Sequence, residues 1–340
     1  MLVQKKRPLT IADVAREAGV SRTTVSHALN DRGYVDPQTR ERVKRVAQEL
    51  GYRPSVRAQR LRSGQSHVIA LISPMPFEIS GGSARLGFMM EVAAAAAGAA
   101  LIRGYSLVLV PPVEGRLAVE GLDIDGALVI EPTDDDPSMA YLREAGLPVV
   151  CIGKQPGQQD LAYVDLQSAE STRLLLEHLY AQGTRHIALL IGLQKRSSYA
   201  TAEQTYRAFC ARHAMTPRVV AQSEQGGEEA GWAACSALLE TDSEVDAVCA
   251  LVDAFAVGAL RAIRERGLRV PEDIRVATRY DGPRARASEP PLTAINLQLE
   301  SVALRGVDLL LGILSGKADL QEATREMPAL QLVMRQSSMA

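Results

Sequence analysis

Near the start of the chain, the nine residues Arg22-Thr23-Thr24-Val25-Ser26-His27-Ala28-Leu29-Asn30 combine two kinds of side chain at a helical spacing. Wound at about 100° per residue, they put Val25, Ala28 and Leu29 on one side. Arg22, Thr23, Ser26, His27 and Asn30 fan across the other. That second arc offers hydrogen-bond donors and acceptors of several types and no carboxylate. Such a set is suited to reading base edges in the major groove of DNA. An ordinary solvated face would mix Glu with Lys, and this one does not.

Other chemistry finds little support. Cys151, Cys210, Cys235 and Cys249 are far apart with no CxxC pair, and two lie in apolar runs (PVVCI, DAVCALV), as expected of small core residues in a reducing compartment. The five histidines form neither HExxH nor a Cys/His cluster, so no metal and no cofactor is expected. There is no GxGxxG, no GxxxxGK[ST] and no GxSxG. Gly81-Gly82 reads as a flexible turn, and IGLQKRSS has the wrong spacing for a phosphate loop. Asp134-Asp135-Asp136, between Pro132 and Pro137, reads as a solvated turn. No enzymatic constellation emerges.

The elements that would position the polar arc are legible. Thr10-Ile11-Ala12-Asp13 has the form of a capping box, and Ile11, Val14, Ala15 and Ala18 follow as one apolar stripe ended by Gly19. Ser21 is a good N-cap for a second helix over 22–30. Two short helices joined by a tight Gly-containing turn make a helix-turn-helix pattern. A third helix is predicted from Asp36-Pro37 to Leu50, closed by Gly51, with Val43, Val46, Ala47 and Leu50 facing the same small core. Beyond it, 56–62 carries Arg57, Arg60 and Arg62 between a capping Ser55 and Gly64. Seven residues are too few for an isolated helix, so this segment should order only against a partner such as DNA phosphate.

Charge is divided along the same line. Residues 1–62 hold fourteen Lys and Arg against six Asp and Glu, whereas the remaining 278 hold 24 against 34. A basic end on an acidic body points to a polyanionic partner for the first segment alone. No run approaches a membrane span, and MLVQKKRPLTIADVAREAG lacks the apolar core of a secretory signal, so a cytoplasmic location is expected.

TIADVAREAGVSRTTVSHALN, VDPQTRERV, ELGYRP and AQRLRSGQS together resemble the headpiece and hinge helix of the lactose-repressor (LacI/GalR) family, without a gap from about Thr10 to Gln65. The resemblance implies that Arg22, Thr23 and His27 read bases. It implies that Ser21, Thr24, Ser26, Asn30, Tyr34, Thr39 and Tyr52 position phosphates. Arg57 belongs to the basic hinge segment, where Ala58 and Leu61 match residues that enter the minor groove, Leu61 as a wedge. Ser55 replaces a frequent Asn, and His27 stands where Arg is common.

From Ser66 onward, short apolar runs alternate with helical stretches. Strands are expected at 68–72, 106–110, 127–130, 149–152, 187–191, 219–221, 247–252 and 275–278, and helices at 168–182, 200–213, 228–239 and 253–266. This rhythm reads as βαβ units with parallel sheet, and its repetition after Val164 favours two lobes. DGALVI, AGLPVVCIG, EHLYAQGTRHIALLIG, FAVGALRAIRERGLRVPEDIRV and PPLT resemble a periplasmic-binding-protein-like effector domain. The expected organisation is α plus α/β. A three-helix headpiece spans 8–54, a hinge 55–65, and a two-lobed domain 66–335. Lobe one takes about 66–165 and 297–324, and lobe two 166–296 and 325–335. The family implies a homodimeric regulator, usually a repressor, on a pseudo-palindromic operator of double-stranded DNA, with a small-molecule effector between the lobes. The same regulator without an effector, and a transport-type binding protein, stand as alternatives; the headpiece and the absent secretory signal weigh against the latter.

Departures from the family guide the effector expectation. Ala202 stands where sugar-responsive members carry Arg. Val252 precedes Asp253 where Asn is common, and the usual Gly-Phe-Asp-Asp is Thr278-Arg279-Tyr280-Asp281. Lys154 follows Gly153 where an Asp-Arg pair is frequent. Polar groups for sugar hydroxyls thus look largely missing, and unpaired buried hydroxyls are costly. The expectation is a ligand more apolar or more anionic than a neutral sugar, held by Lys154, Arg279 and Tyr280, or none at all.

Overall fold

The computed structural model describes residues 9–30, 33–52, 64–75, 87–111, 113, 117–158, 160–317 and 327–339. The chain divides into two compact units, Met1–Ser66 and His67–Ala340.

In the first unit, α1 (Ile11–Ala18), α2 (Arg22–Leu29) and α3 (Pro37–Leu50) form where their caps predict. Asp13 Oδ2 accepts both the Thr10 N–H, at 2.8 Å, and the Thr10 hydroxyl, at 2.7 Å, closing the start of α1. Gly19 and Gly51 end α1 and α3 at φ 65° and 68°. The left-handed region they occupy suits glycine. Val14, Val25, Ala28 and Val43 are wholly buried in one core, which Leu29 and Tyr52 border.

In the second unit, apolar strands of five residues or so build two sheets. The first takes β1 (Val68–Ile72), β2 (Ser106–Val110), β3 (Gly126–Ile130), β4 (Val149–Ile152) and β5 (Ala162–Val164), all parallel, in the order β2-β1-β3-β4-β5. The second takes β6 (Ile187–Gly192), β7 (Arg218–Gln222), β8 (Ala247–Ala250), β9 (Arg275–Thr278), β10 (Thr293–Asn296) and β11 (Gln331–Val333), in the order β11-β10-β9-β8-β6-β7. Only β11 runs antiparallel to its neighbour. The eight expected strands are present with small shifts of their ends; β8 stops at Ala250, before the predicted 252. Missed were β5, β10 and β11, each of three or four residues with little to mark it as apolar or periodic.

Helices cover both sheets. Lobe one carries α4 (Phe88–Ile102) and α5 (Pro137–Glu144), and lobe two carries α6 (Ser168–Ala181), α7 (Ser197–Arg212), α8 (Gly227–Thr241), α9 (Asp253–Glu265) and the short α10 (Pro283–Ala287). The chain then returns from β10 to lobe one as α11 (Leu299–Leu314), which packs against α4 and β3 to β5. The tail closes back onto lobe two, where Ser338 Oγ lies 2.7 Å from His178 Nε2 and 2.5 Å from Thr293 Oγ1.

Two local expectations change. The Asp134–Asp136 stretch is not a solvated turn throughout: Asp136 is buried and caps α5, accepting from Ser138 and Met139 N–H groups at 2.8 and 3.3 Å. The helix predicted at 200–213 starts earlier, at Ser197. The four cysteines are buried and free, as expected.

Candidate functional site

Within the first unit, α2 displays its two faces. Val25 and Ala28 anchor it to the core, leaving Arg22 and Thr23 exposed and Ser26 and His27 partly exposed. Ser21 caps the helix by accepting the Thr24 N–H at 3.0 Å, and the two hydroxyls pair at 2.8 Å. Asn30 ends it, donating from its amide to the Ser26 carbonyl at 2.7 Å. The cap orders the first turn, from which Arg22 and Thr23 project. Tyr34 is 96% exposed. Thr39 sits in the first turn of α3, its N–H donating to Asp36 at 2.9 Å. That contact holds the Asp36 carboxyl below its ordinary range. Tyr52 leans on the headpiece core. Arg57, Ala58 and Leu61 lie outside the described residues.

In the second unit, the parallel strands of both sheets end at a cleft between the lobes. The crevice outside the carboxyl ends of parallel strands is where α/β folds ordinarily bind ligands. Glu131 follows β3, Val252 and Asp253 follow β8, Arg279 and Tyr280 follow β9, and Leu297 follows β10. With Met75, Phe88, Tyr199 and Leu251 they line a cavity of about 40 Å³. That holds roughly three waters.

Side chains from the two lobes meet across this cleft. Arg279 donates from Nη1 to Glu131 Oε1 at 3.3 Å, and both side chains are 5% exposed. The Glu131 backbone stands at φ 41°, a left-handed conformation costing on the order of 1–3 kcal/mol for a non-glycine residue. Its N–H is tied to the Ile152 carbonyl at 2.8 Å, and its carbonyl accepts from Arg196 Nη1. Arg196 in turn faces Glu224 at 3.4 Å, and Glu224 accepts the Tyr199 hydroxyl. Gly192 makes room for this group, since a Cβ there would lie 2.5 Å from the Tyr199 ring and 2.8 Å from Glu224 Oε1. Burial, reinforced by Glu224, holds the Tyr199 phenol well above its ordinary range, so it donates.

Tyr280 makes the second crossing. Its hydroxyl donates to Glu91 Oε2 at 2.7 Å, and its ring meets Phe88 edge-on at 5.5 Å. Gly282 admits this ring position, because a Cβ would come within 2.2 Å of Tyr280 Cε1. Asp253 opens α9 and accepts the Ala254 N–H at 2.8 Å, with Arg284 Nη1 at 3.7 Å. Burial raises the Asp253 carboxyl pKa, and Arg284 opposes the shift.

Of the residues singled out for an effector, Val252, Asp253, Arg279 and Tyr280 converge on this cavity, and Lys154 and Ala202 do not. Lys154 is exposed, its ammonium 4.9 Å from the Tyr163 ring centre. Ala202 is wholly buried on the core side of α7. Glu131, Asp253 and Arg279 place charged side chains in the cavity lining. Arg196, just before α7, lies behind the lining, where it donates to the Glu131 carbonyl and faces Glu224. The sequence reading passed over these residues, although polar side chains directly after predicted parallel strands would have marked Glu131.

Two family models match. The model for bacterial regulatory proteins of the lacI family covers residues 10–55, and that for a periplasmic binding protein-like domain covers 176–338. The transcriptional regulator CelR of Thermobifida fusca is 31% identical over 98% of this chain and 100% of its own length. The lactose operon repressor of Escherichia coli strain K12 is 30% identical over 92% of this chain and 86% of its own. Among solved structures, a CelR–cellobiose complex superposes with TM-score 0.72 at 31% identity, covering 97% of this chain and all of that one. A Lac repressor dimer bound to operator and an anti-inducer gives TM-score 0.77 at 27% identity, covering 98% and 100%.

Proposed function

The chain belongs to the LacI family of bacterial regulatory proteins, and on that premise we propose that its first unit docks α2 in the major groove of a two-fold-symmetric operator, as one half of a homodimer. The observation that carries this reading is the acid-free, exposed face of α2 on a segment with an excess of eight positive charges. Arg22 and Thr23 read bases, and His27 joins them from the next turn. Ser21, Thr24, Ser26, Asn30, Tyr34, Thr39 and Tyr52 set the register on phosphates, which fixes position without carrying sequence information. Arg57, Ala58 and Leu61 make the hinge contact. A small molecule bound between the lobes modulates the complex; the support is a cleft at the strand ends that gathers polar side chains from both lobes. The resident chemistry is binding, with no bond made or broken by the chain, as befits relatives that are transcriptional regulators.

Selection from a random duplex pool by gel shift tests the reading. A single enriched motif with two-fold symmetry, its half-sites one helical turn apart or a multiple of it, is expected. A pool that shows no enrichment would rule it out.

A further inference from the structure

Base reading by α2 depends on where its side chains are held, and one of them lies against a glycine outside the helix. Gly33, between α2 and α3, stands at φ 64°. A Cβ built on it would lie 2.8 Å from His27 Nδ1, 3.1 Å from Cε1 and 3.3 Å from Cγ. These are short of the 3.5–4.0 Å or so at which such atoms ordinarily rest. The imidazole therefore occupies space that any other residue at 33 would fill.

The other left-handed glycines of this unit differ. Gly19, Gly51 and Gly64 have φ of 65°, 68° and 68°, and a Cβ on any of them would meet nothing within 4 Å. They set the direction of the chain, and a substitution there costs backbone strain without displacing a side chain. At Gly33 the two demands coincide. His27 is partly exposed at the last turn of α2, whereas Val25 and Ala28, which anchor the helix, are buried elsewhere. A methyl group at 33 is thus accommodated by swinging the ring, and the core is left as it was.

We propose that Gly33 is a positioning residue for sequence recognition: by leaving room for the imidazole it lets Nδ1 turn to the protein and Nε2 to the groove, so that His27 reads its base through one hydrogen bond. The support is the order of approach, since Nδ1 is the ring atom nearest the glycine and Nε2 is not among the nearest three. A ring with one nitrogen presented makes one contact with a base edge, where the Arg22 guanidinium can offer a fork. The inference rests on the reading that α2 docks in the major groove, and it gives a part in specificity to a residue that has no side chain.

The test is a competition gel shift on the full chain against every single-base substitution of the selected operator. At one position of each half-site the wild type should discriminate by about threefold to tenfold through His27, the worth of one hydrogen bond. His27→Ala should erase that preference alone. Gly33→Ala should erase the same preference and keep the others, and in the His27→Ala background it should change nothing further at that position. Gly33→Asn should act likewise with less backbone strain, because Asn tolerates the left-handed region, and it keeps the inference testable should the alanine variant fold poorly. Gly51→Ala, equally strained but clear of any side chain, should weaken all sites evenly and leave every preference in place. A Gly33 variant that weakens all sites evenly and keeps the preference at the His27 position would be acting on structure alone and would overturn the inference. A His27→Ala chain with the wild-type profile would overturn it as well. A duplex pool with no enriched site would overturn the major-groove reading itself, which is a separate outcome.

Discussion

Glu224→Gln isolates the buried group that holds the cleft wall. Arg196 and Glu224 have side chains 1% and 0% exposed, with Nη2 and Oε2 3.4 Å apart. At an effective dielectric near 20 their attraction is about 5 kcal/mol. Both ions have given up their hydration, a penalty of several kcal/mol each. The amide keeps the shape and still accepts from Tyr199, but it removes the attraction and leaves the desolvated Arg196 charge in place. The expected loss is about 3–5 kcal/mol. In a domain of this size that corresponds to a fall of roughly 6–20 °C in melting temperature. Replacing both ions, as Arg196→Met with Glu224→Gln, removes the stranded charge and should restore part of the loss, the Glu131 carbonyl having lost its Arg196 donor. Equilibrium urea unfolding of the four proteins in the cycle gives the coupling directly. A single variant costing under about 1 kcal/mol, or a double variant costing the sum of the singles, would refute the argument that this ion pair is desolvated and mutually dependent.

Further outcomes follow from the same contacts. Burial pushes the Cys151, Cys235 and Cys249 thiols up to about 12, so thiolate is scarce at pH 8 and a disulfide reagent should label these residues only on unfolding; rapid labelling of the native chain would contradict their placement. Leu61→Ala should weaken operator binding and reduce DNA bending while leaving the thermal stability of the chain unchanged, since an apolar wedge must offset a few kcal/mol of unstacking; unchanged bending would remove the wedge. Ala294 and Ile295 pair with the final strand, so removing residues 331–340 should destabilise the domain by several kcal/mol through loss of that ladder and of the buried Ser337 and Ser338 contacts; an unchanged denaturation midpoint would argue against it.

The headpiece was legible because its signals are local. A cap such as Ser21, a stop such as Gly19, and an apolar stripe all lie within one or two turns of the helix they define, and the structure places them accordingly. The eight expected strands were legible as apolar runs. The cleft was legible only in part, because its members are joined through space: Glu131 meets Arg279 across 148 residues and Tyr280 meets Glu91 across 189. The loss of a polar side chain at 202 was legible, and the buried Arg196–Glu224 pair beside the cavity was not, since its members lie 28 residues apart. β10 and β11 escaped notice for a related reason. Each is short, and what makes it a strand is its partner.

The claim that sequence-specific DNA binding resides in the first unit is tested most directly by one equilibrium measurement: the affinity of the full chain and of its Arg22→Ala variant for the selected operator, by fluorescence anisotropy across a salt series. The account predicts that wild-type affinity falls steeply as salt rises, because Lys and Arg displace counterions from phosphate. It also predicts that Arg22→Ala costs about 1–3 kcal/mol on the operator and relaxes discrimination at one position of each half-site. Salt-insensitive binding, or an Arg22→Ala chain that discriminates operator variants as the wild type does, would contradict it.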